Sequence, residues 1–592
     1  MNFSFLLSAG FYLIVCSIGT LAMFHPTIFS GFSRMQSYPA DSRLNNYILE
    51  HSFQFIFNPN YPKDFWSATF FYPLKNTIAL TENLLGTSPL YWLFRLFNSP
   101  ETSFQVWTIA VTILNFFSLV FLLRQLKVNP ILSALGGFVF AFGMPRIGQL
   151  NHEQLLVQFW TSIAFLFLWN FFRRPMIRSL GLFSLFIYLQ VLSGIYLGWL
   201  FLFSVLIMIP VSLYFDPFSR LRLFKFVKQY WKACLGTFLV WLLFAVLLFL
   251  PYLKVSHTFG VRSFAEVATM LPRLSSWFFP PAGTLWDFLR PEIPEDLPMP
   301  WEHQLFIGII FSLLTGFSVY CLRFQANAIS CERSLLIKVC LTTALILFIL
   351  SLSVADWSLW QIVYTIIPGA TAIRSVTRIG LVIDFYLIIA TLVCFDSFIK
   401  TMIRTRKSRI AIVTLICLAG ILEQISFDLP SFEKSPLLAA EAEVQTLISS
   451  GCNVAYISMS RTTFPVEPSI QQFYATWSTP KDILPPSSNT FSDFQQTAAM
   501  WIGIKSGVPV INGRSGFLPQ NYPNPYAPPK IAKLIQWLGG RYQGTLCFVS
   551  DKTATPSLGL ETMRSSTISS DRFTLSRINL PVPKPAKLKI GL

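Results

Sequence analysis

The sequence predicts a mainly α polytopic membrane protein, a bundle of about eleven transmembrane helices with a long first outer loop and a small C-terminal α/β domain outside the cytoplasm. Three observations carry this prediction. Of 592 residues, 53% are hydrophobic and only 12% charged, whereas soluble proteins carry about 25% charged residues. Charge-free apolar windows, such as 233–253, exceed the roughly 18 residues that read as a membrane-crossing helix. Basic residues collect in alternate loops between those windows. A soluble enzyme, a disordered chain and a disulfide-built scaffold are thereby excluded.

Apolar windows fall at 3–24, 104–123, 130–144, 154–172, 179–193, 195–215, 233–252, 304–322, 339–355, 379–397 and 410–427. With the N-terminus in the cytoplasm, the inner loops hold Arg124, Lys127, Arg173, Arg174, Arg178, the basic run at 220–232, Arg323, Arg333, Lys338 and the run at 400–409, against Asp216 and Glu332. The outer loops are close to charge balance, so the positive-inside rule selects this orientation. An odd number of spans then puts the tail outside the cytoplasm, together with the loops 25–103 and 253–303 and all five histidines. The chain divides on this reading into a membrane domain, 1–427, and an extracytoplasmic domain, 428–592.

The net charge of +17 is therefore an orientation signal and a contact with anionic membrane lipids, and nucleic acid is not an expected partner. The first window lacks a basic leader and a small-residue cleavage site and reads as a retained helix. Cys452 and Cys547 are the two cysteines of the tail. They are open to a disulfide or to two buried thiols.

In the first outer loop, Leu44, Tyr47, Ile48, His51 and Phe55 recur at helical spacing with Arg43, Asn45, Asn46 and Glu50 between them. This predicts an amphipathic helix lying flat on the membrane. A second interfacial piece runs over 82–94, broken by Gly86 and Pro89, and an aromatic stretch, DFWSATFFYP at 64–73, separates the two. The tail opens with Ser435-Pro436 before a helical run over 437–448 that stops at Gly451. A strand at 454–459, a helix at 530–538 and strands at 545–550 and 572–579 complete the α/β reading.

No GxGxxG, GxxxxGK[ST], HExxH or GxSxG occurs, so nothing points to a soluble-nucleotide or serine-hydrolase site. What stands out is a set of ionisable residues just outside the windows on one side: Asp41, Arg43, Glu50 and His51; Arg146, His152 and Glu153; Glu302 and His303; Arg374 and Arg378. Charge beside hydrocarbon is expensive and marks function. Asp41, in YPADSRL, reads both as a helix N-cap and as a general base for an acceptor hydroxyl. Arg374 and Arg378, one helical turn apart in AIRSVTR, would point the same way and hold a phosphate, or anchor the interface. His152-Glu153 and Glu302-His303 pair an acid with an imidazole at a span mouth. They suit substrate contacts, and a divalent metal is conceivable there although no diagnostic ligand spacing is present and none is assigned. Trp277, Trp286 and Trp301 fit either sugar stacking or an interfacial belt.

A first span followed by a long outer loop with an early acid, interfacial helices, many further spans and an outer C-terminal domain resembles the GT-C superfamily of membrane glycosyltransferases. More narrowly the chain resembles bacterial membrane proteins grouped with the GT-C and YfhO-like sets. The stretches that carry this are DSRLNNYILEH (41–51), FFYPLKNTIALTENLLGTSPLYWLFR (70–95), FAFGMPRIGQLNHEQLLVQFW (140–160), AIRSVTRIG (372–380) and INGRSGFLPQNYP (511–523). The resemblance implies a GT-C-like bundle in the bacterial inner membrane and an inverting hexosyltransferase that needs no soluble cofactor. The implied donor is a polyprenyl-phosphate sugar, the acceptor a glycan, lipid or protein, and Asp41 the base. Many such proteins have two adjacent acids in this loop. Here Ser42 and Arg43 follow Asp41, so either Glu50 is the second carboxylate or the two-acid arrangement is absent. Two other functions fit the same layout: a lipid-carrier transporter or flippase, and a non-catalytic accessory protein of envelope polysaccharide assembly.

Overall fold

The computed structural model describes residues 3–289, 299–355, 357–449, 451–459, 490–516, 518–524, 531–539, 542–552 and 564–580. All eleven apolar windows hold helix. Eight helices among the described residues are long and apolar enough to cross a membrane: Ser8–Phe29, Pro100–Gln125, Pro130–Ile147, Glu153–Arg173, Ile195–Phe215, Pro217–Phe259, Cys331–Ser351 and Val376–Met402. The shorter apolar helices Ile177–Ser193 and Ile309–Phe324 and the helix Arg406–Leu422 occupy the remaining windows. Local chemistry sets the boundaries. Ser99 accepts from the Thr102 amide ahead of Pro100, and Asn129 accepts from the Ile131 amide ahead of Pro130, the cap-then-proline order that starts helices.

The chain forms two compact units: one of Met1–Phe32, Asn83–Leu250 and Val261–Ser431, the other of Ser33–Glu82, Pro251–Gly260 and Phe432–Leu592. The first outer loop is thus split, and its part 33–82 groups with the tail. In the first unit Val376–Met402 is the most enclosed helix, packed on Cys331–Ser351 and Ile309–Phe324. Pro217–Phe259 is the reverse, with Phe238, Leu239, Val240, Leu243 and Leu247 exposed, as a lipid-facing helix requires. The second interfacial piece forms a helix over Ser88–Arg95 that leaves Leu93, and beyond it Leu96 and Phe97, exposed.

The second unit is built on a mixed sheet. Val454–Ile457 runs parallel to Gly544–Asp551, which pairs antiparallel with Phe573–Leu580, and that strand pairs antiparallel with Arg564–Ser569. On the far side, Ala455 bonds the segment 509–511. That segment in turn bonds 69–72 of the first outer loop through Val510 N to Thr69 O at 2.8 Å and Tyr72 N to Val510 O at 3.0 Å. The helix Thr490–Ser506 packs on Ser435–Ile448, on Val454–Ile457 and on Pro39–Phe57. Val454, Tyr456, Ile511, Leu534, Leu546, Phe548 and Ile578 form its apolar core. Cys452 and Cys547 are joined as a disulfide, their Cα atoms 5.7 Å apart.

Pro39–Phe57 corrects one expectation. It is not a helix with one face free for a membrane surface, because Arg43, Asn45, Asn46, Glu50 and His51 are buried along with Tyr47, Ile48 and Leu49. Trp501 covers its polar side, donating Nε1 to the Arg43 carbonyl at 3.0 Å while its ring meets Tyr47 edge-on. The tail helices and strands stand near their expected positions, as Ser435–Ile448, Ile531–Trp537, Gly544–Asp551 and Phe573–Leu580. Thr490–Ser506 and Arg564–Ser569 were not foreseen, the helix because Gln495, Gln496 and Thr497 lie on its buried side and interrupt any apolar stripe.

Candidate functional site

Asp41 stands in the first turn of Pro39–Phe57, with Tyr38 at the cap position and Pro39 behind it. The N-cap role is therefore corrected: Pro39 starts the helix earlier, and Asp41 faces outward from the first turn, where the helix dipole favours a carboxylate. Its side chain is 30% exposed, and Arg514 donates to Oδ1 at 2.7 Å. The same Arg514 nitrogen lies 3.6 Å from Asp493 Oδ2. Burial and the neighbouring Asp41 raise the Asp493 carboxyl above the usual carboxylate range, against the pull of Arg514.

Arg514 is placed by a braced loop. The Asn512 side chain accepts from Ile457 N at 2.8 Å and donates to Ile457 O at 3.0 Å, tying the loop to the sheet. Gly513 follows, where a Cβ would meet the Phe71 ring at 2.4 Å, so only glycine admits this approach. Neither Arg514 nor Asp493 was singled out from sequence. The motif INGRSGFLPQNYP held the signal, an arginine framed by two glycines.

The other first-loop candidates separate from Asp41. Arg43 lies about 160° around the helix and forms an ion pair with Glu441, each side chain 1% exposed. Its guanidinium also lies over Trp501 at 4.7 Å. Glu50, nine residues on, is on the opposite face and about 13 Å along the axis, where it accepts from Gln54 at 2.7 Å. It is not placed to act as a second carboxylate beside Asp41. His51 is enclosed, with Nδ1 2.8 Å from the Tyr61 hydroxyl and Nε2 2.7 Å from the Phe65 carbonyl.

In the membrane unit, His152, Glu302 and Arg378 come together. Arg378 grips Glu302 with two bonds, 2.7 and 3.2 Å, and His152 Nε2 lies 3.5 Å from Glu302 Oε1. Burial pushes the Glu302 carboxyl up, but Arg378 and His152 outweigh it and hold the group well below the usual range. Arg378 also stacks on Tyr196 at 4.9 Å. Arg374 and Arg378 do not share a helical face. Arg374 lies in the extended link between the turns Ala370–Ala372 and Val376–Ile379, and its amide N–H donates to the Tyr196 hydroxyl at 2.6 Å in place of a helical carbonyl. Its side chain approaches Glu266 at 3.8 Å. His303 shares a hydrogen bond with Ser276 at 2.7 Å, and Glu153 is buried in the turn Glu153–Leu155.

Among the described residues no three His, Cys, Asp or Glu side chains are grouped to hold a metal ion. Chemically, Glu302 is a committed counter-ion. Asp41 is different: a part-exposed carboxylate that Arg514 meets from the neighbouring loop. Compared with protein-family models and with curated proteins, the chain matches none of them.

Proposed function

We propose that this protein is a membrane glycosyltransferase of the inner bacterial membrane that moves a sugar from a polyprenyl-phosphate-linked donor to an acceptor at the outer face. The observation that carries this reading is Asp41, a part-exposed carboxylate in a first helical turn. Its pairing with a partly exposed arginine, and not with a sealed core partner, suits a general base. In the reaction, Asp41 takes the acceptor hydroxyl proton, the acceptor oxygen attacks the anomeric carbon, and the bond to the phosphate oxygen breaks with inversion. Polyprenyl phosphate leaves with the bonding pair.

The placement is supported by the basic residues that collect in alternate loops between the apolar windows and by the Cys452–Cys547 disulfide, which suits an oxidising compartment. A transport reading draws on a separate observation. Asp384, inside the span Val376–Met402, is 6% exposed, and neither of its oxygens meets a hydrogen-bond donor among the described residues.

The test compares wild type with Asp41→Asn, both purified in detergent, on a panel of radiolabelled polyprenyl-phosphate hexoses with a membrane-glycan extract. Release of polyprenyl phosphate by wild type, lost by at least about 100-fold in the folded variant as expected for a general base, is the expected result. Equal release by both removes Asp41 as the base. No release by wild type from any donor favours transport or an accessory role.

A further inference from the structure

Asp384 lies inside the span Val376–Met402 and is 6% exposed. Among the described residues neither of its oxygens accepts a hydrogen bond, and it enters no ion pair. In an apolar interior an ionised carboxylate without donors costs far more than the neutral acid. The natural counter-ion is at hand but engaged elsewhere. Among the described residues Arg146 is the one charged group that acts electrostatically on Asp384. Its Nε donates to the Phe140 carbonyl at 3.0 Å, Nη1 to the Leu155 carbonyl at 2.6 Å and Nη2 to Gln158 Oε1. All three acceptors are neutral. An ionised aspartate would be expected to displace one of them, because a charge-assisted bond is roughly twice as strong as a neutral one. Instead Gln158 donates its Nε2 to the Leu381 carbonyl at 3.3 Å, so Arg146 is joined to the helix of Asp384 through an amide and not through the carboxyl.

The other ionisable groups of the elements packed on this helix are occupied or exposed. Arg378 pairs with Glu302 and lies over Tyr196, Arg333 pairs with Asp396, Cys340 stands beside Tyr386 and Cys321 beside Cys394. Tyr214, Tyr320, Arg323, Cys331, Glu332 and Lys338 are exposed, and Pro130–Phe142 carries no ionisable side chain. We propose that Asp384 is a proton-binding site in the interior of the membrane unit and holds its proton in this conformation, while Arg146 is engaged with neutral oxygens. The ligand is the proton itself, and the only bond that forms or breaks is the O–H bond of the carboxyl. Leu155 and Gln158 close the turn that follows His152, and His152 stands against Glu302. A change of charge at Asp384 therefore acts on the arginine that holds this turn. The inference is independent of the transferase reading and is tested without turnover.

A held proton makes stability depend on pH with a definite sign. The full-length protein and Asp384→Asn, both purified in detergent, are melted at steps from pH 5.5 to 8.5. Across this range an unfolded chain carries an ionised aspartate, whose ordinary value is about 3.9, while the folded chain keeps the proton. The folded state then binds more protons than the unfolded one, and wild-type stability falls as pH rises. The amide of Asp384→Asn imitates the neutral acid and has no proton to hold. Its melting temperature is expected to gain on that of wild type by at least about 3 °C between pH 5.5 and 8.5. Contributions from His51, His152 and the other titrating groups are common to both proteins and leave the difference unchanged.

A difference in melting temperature that stays constant or shrinks as pH rises overturns the proton site, because Asp384 would then be ionised in the folded protein. Should Asp384→Asn fail to fold, Asp384→Glu keeps the acid, and infrared spectra of wild type and this variant at pH 7 decide the matter. The carbonyl stretch of a protonated carboxyl stands apart from the bands of a carboxylate. Wild type is expected to show it and Asp384→Glu to show it displaced; identical spectra in the acid region overturn the proposal. A protein that keeps this proton but transfers no sugar retains the site and loses the transferase reading. One that transfers sugar with Asp384 ionised retains the transferase and loses the site.

Discussion

Arg43 and Glu441, separated by 398 positions, form an ion pair in which both side chains are 99% withdrawn from water. Lys505 reaches the other Glu441 oxygen at 3.2 Å, so one carboxylate serves two cations. Breaking a buried pair leaves a charge without its counter-ion, at about 3–5 kcal/mol. The two halves are not equivalent. Glu441→Gln takes the carboxylate from both Arg43 and Lys505 and should give the larger loss, whereas Arg43→Met leaves Glu441 with Lys505 and should lose clearly less. Thermal unfolding of the full chain in detergent, followed by tryptophan fluorescence with Trp501 beside the pair, is expected to rank the variants in that order; the opposite ranking contradicts the assignment of Glu441 as the shared anion.

His51 predicts an acid limit to stability. Burial lowers its pKa from 6.5 to about 4, and its contacts fit a neutral ring that donates from Nε2 to Phe65 and accepts on Nδ1 from Tyr61. The unfolded chain therefore binds the proton first as pH falls. This contribution is complete above pH 6.5 and is lost between 6.5 and about 4, by up to about 3 kcal/mol. His51→Gln removes the titrating group, so the variant should melt lower at pH 7.5 yet change less than wild type between pH 6.5 and 4.5. Parallel pH curves for the two proteins would show that His51 does not carry the acid sensitivity.

These two buried groups also show what a sequence can and cannot display. The spans were legible because a bilayer imposes length and apolarity on each helix separately, without reference to any partner. The position of Asp41 was legible for a similar reason, as an acid early in a long outer loop. The surroundings of Arg43 and His51 were not. Leu44, Tyr47, Ile48, His51 and Phe55 announce an apolar face, but periodicity is silent about what covers the opposite face. Here the cover is Trp501 and Glu441, hundreds of residues later. Arg514 escaped for the same reason, since its meaning lies in Asp41 and Asp493, which only the folded chain brings beside it. AIRSVTR misled on geometry, because the helical spacing of Arg374 and Arg378 assumes a helix that the Tyr196 hydroxyl interrupts at Arg374.

Glu302 and Arg378 give a prediction in the membrane unit. The carboxylate is held low by Arg378 and His152, so the stability it contributes is fully present above its ordinary value of 4.5 and declines as pH falls below that. Glu302→Gln leaves Arg378 buried beside a neutral amide and should lower stability by about 3–5 kcal/mol at pH 7. The loss should shrink toward pH 3, where wild-type Glu302 itself begins to lose its advantage. Melting curves of both proteins at pH 7 and pH 3.5 measure this; a gap that is unchanged with pH would mean that the Glu302 charge is not what holds Arg378.

The Cys452–Cys547 disulfide ties the tail's parallel strand pair at its start and is at once a staple and a reporter of compartment. It closes a sequence separation of 95 residues, and a loop of that length is worth about 4–5 kcal/mol in the chain-entropy account. Reduction, or Cys547→Ser, should therefore lower the melting temperature of the second unit while leaving the membrane unit folded. The same bond bears on orientation. A polymer-linked maleimide added to protein denatured without reductant should shift the seven free cysteines alone, and all nine cysteines after reduction. If the tail is on the oxidising side, expression in cells lacking the envelope thiol oxidase should remove that difference, with all nine labelling at once. If the tail lies in the cytoplasm, the nine should label without reductant in normal cells too, and both the outward orientation of residues 428–592 and the access of Asp41 to an outer-face acceptor would fall with it.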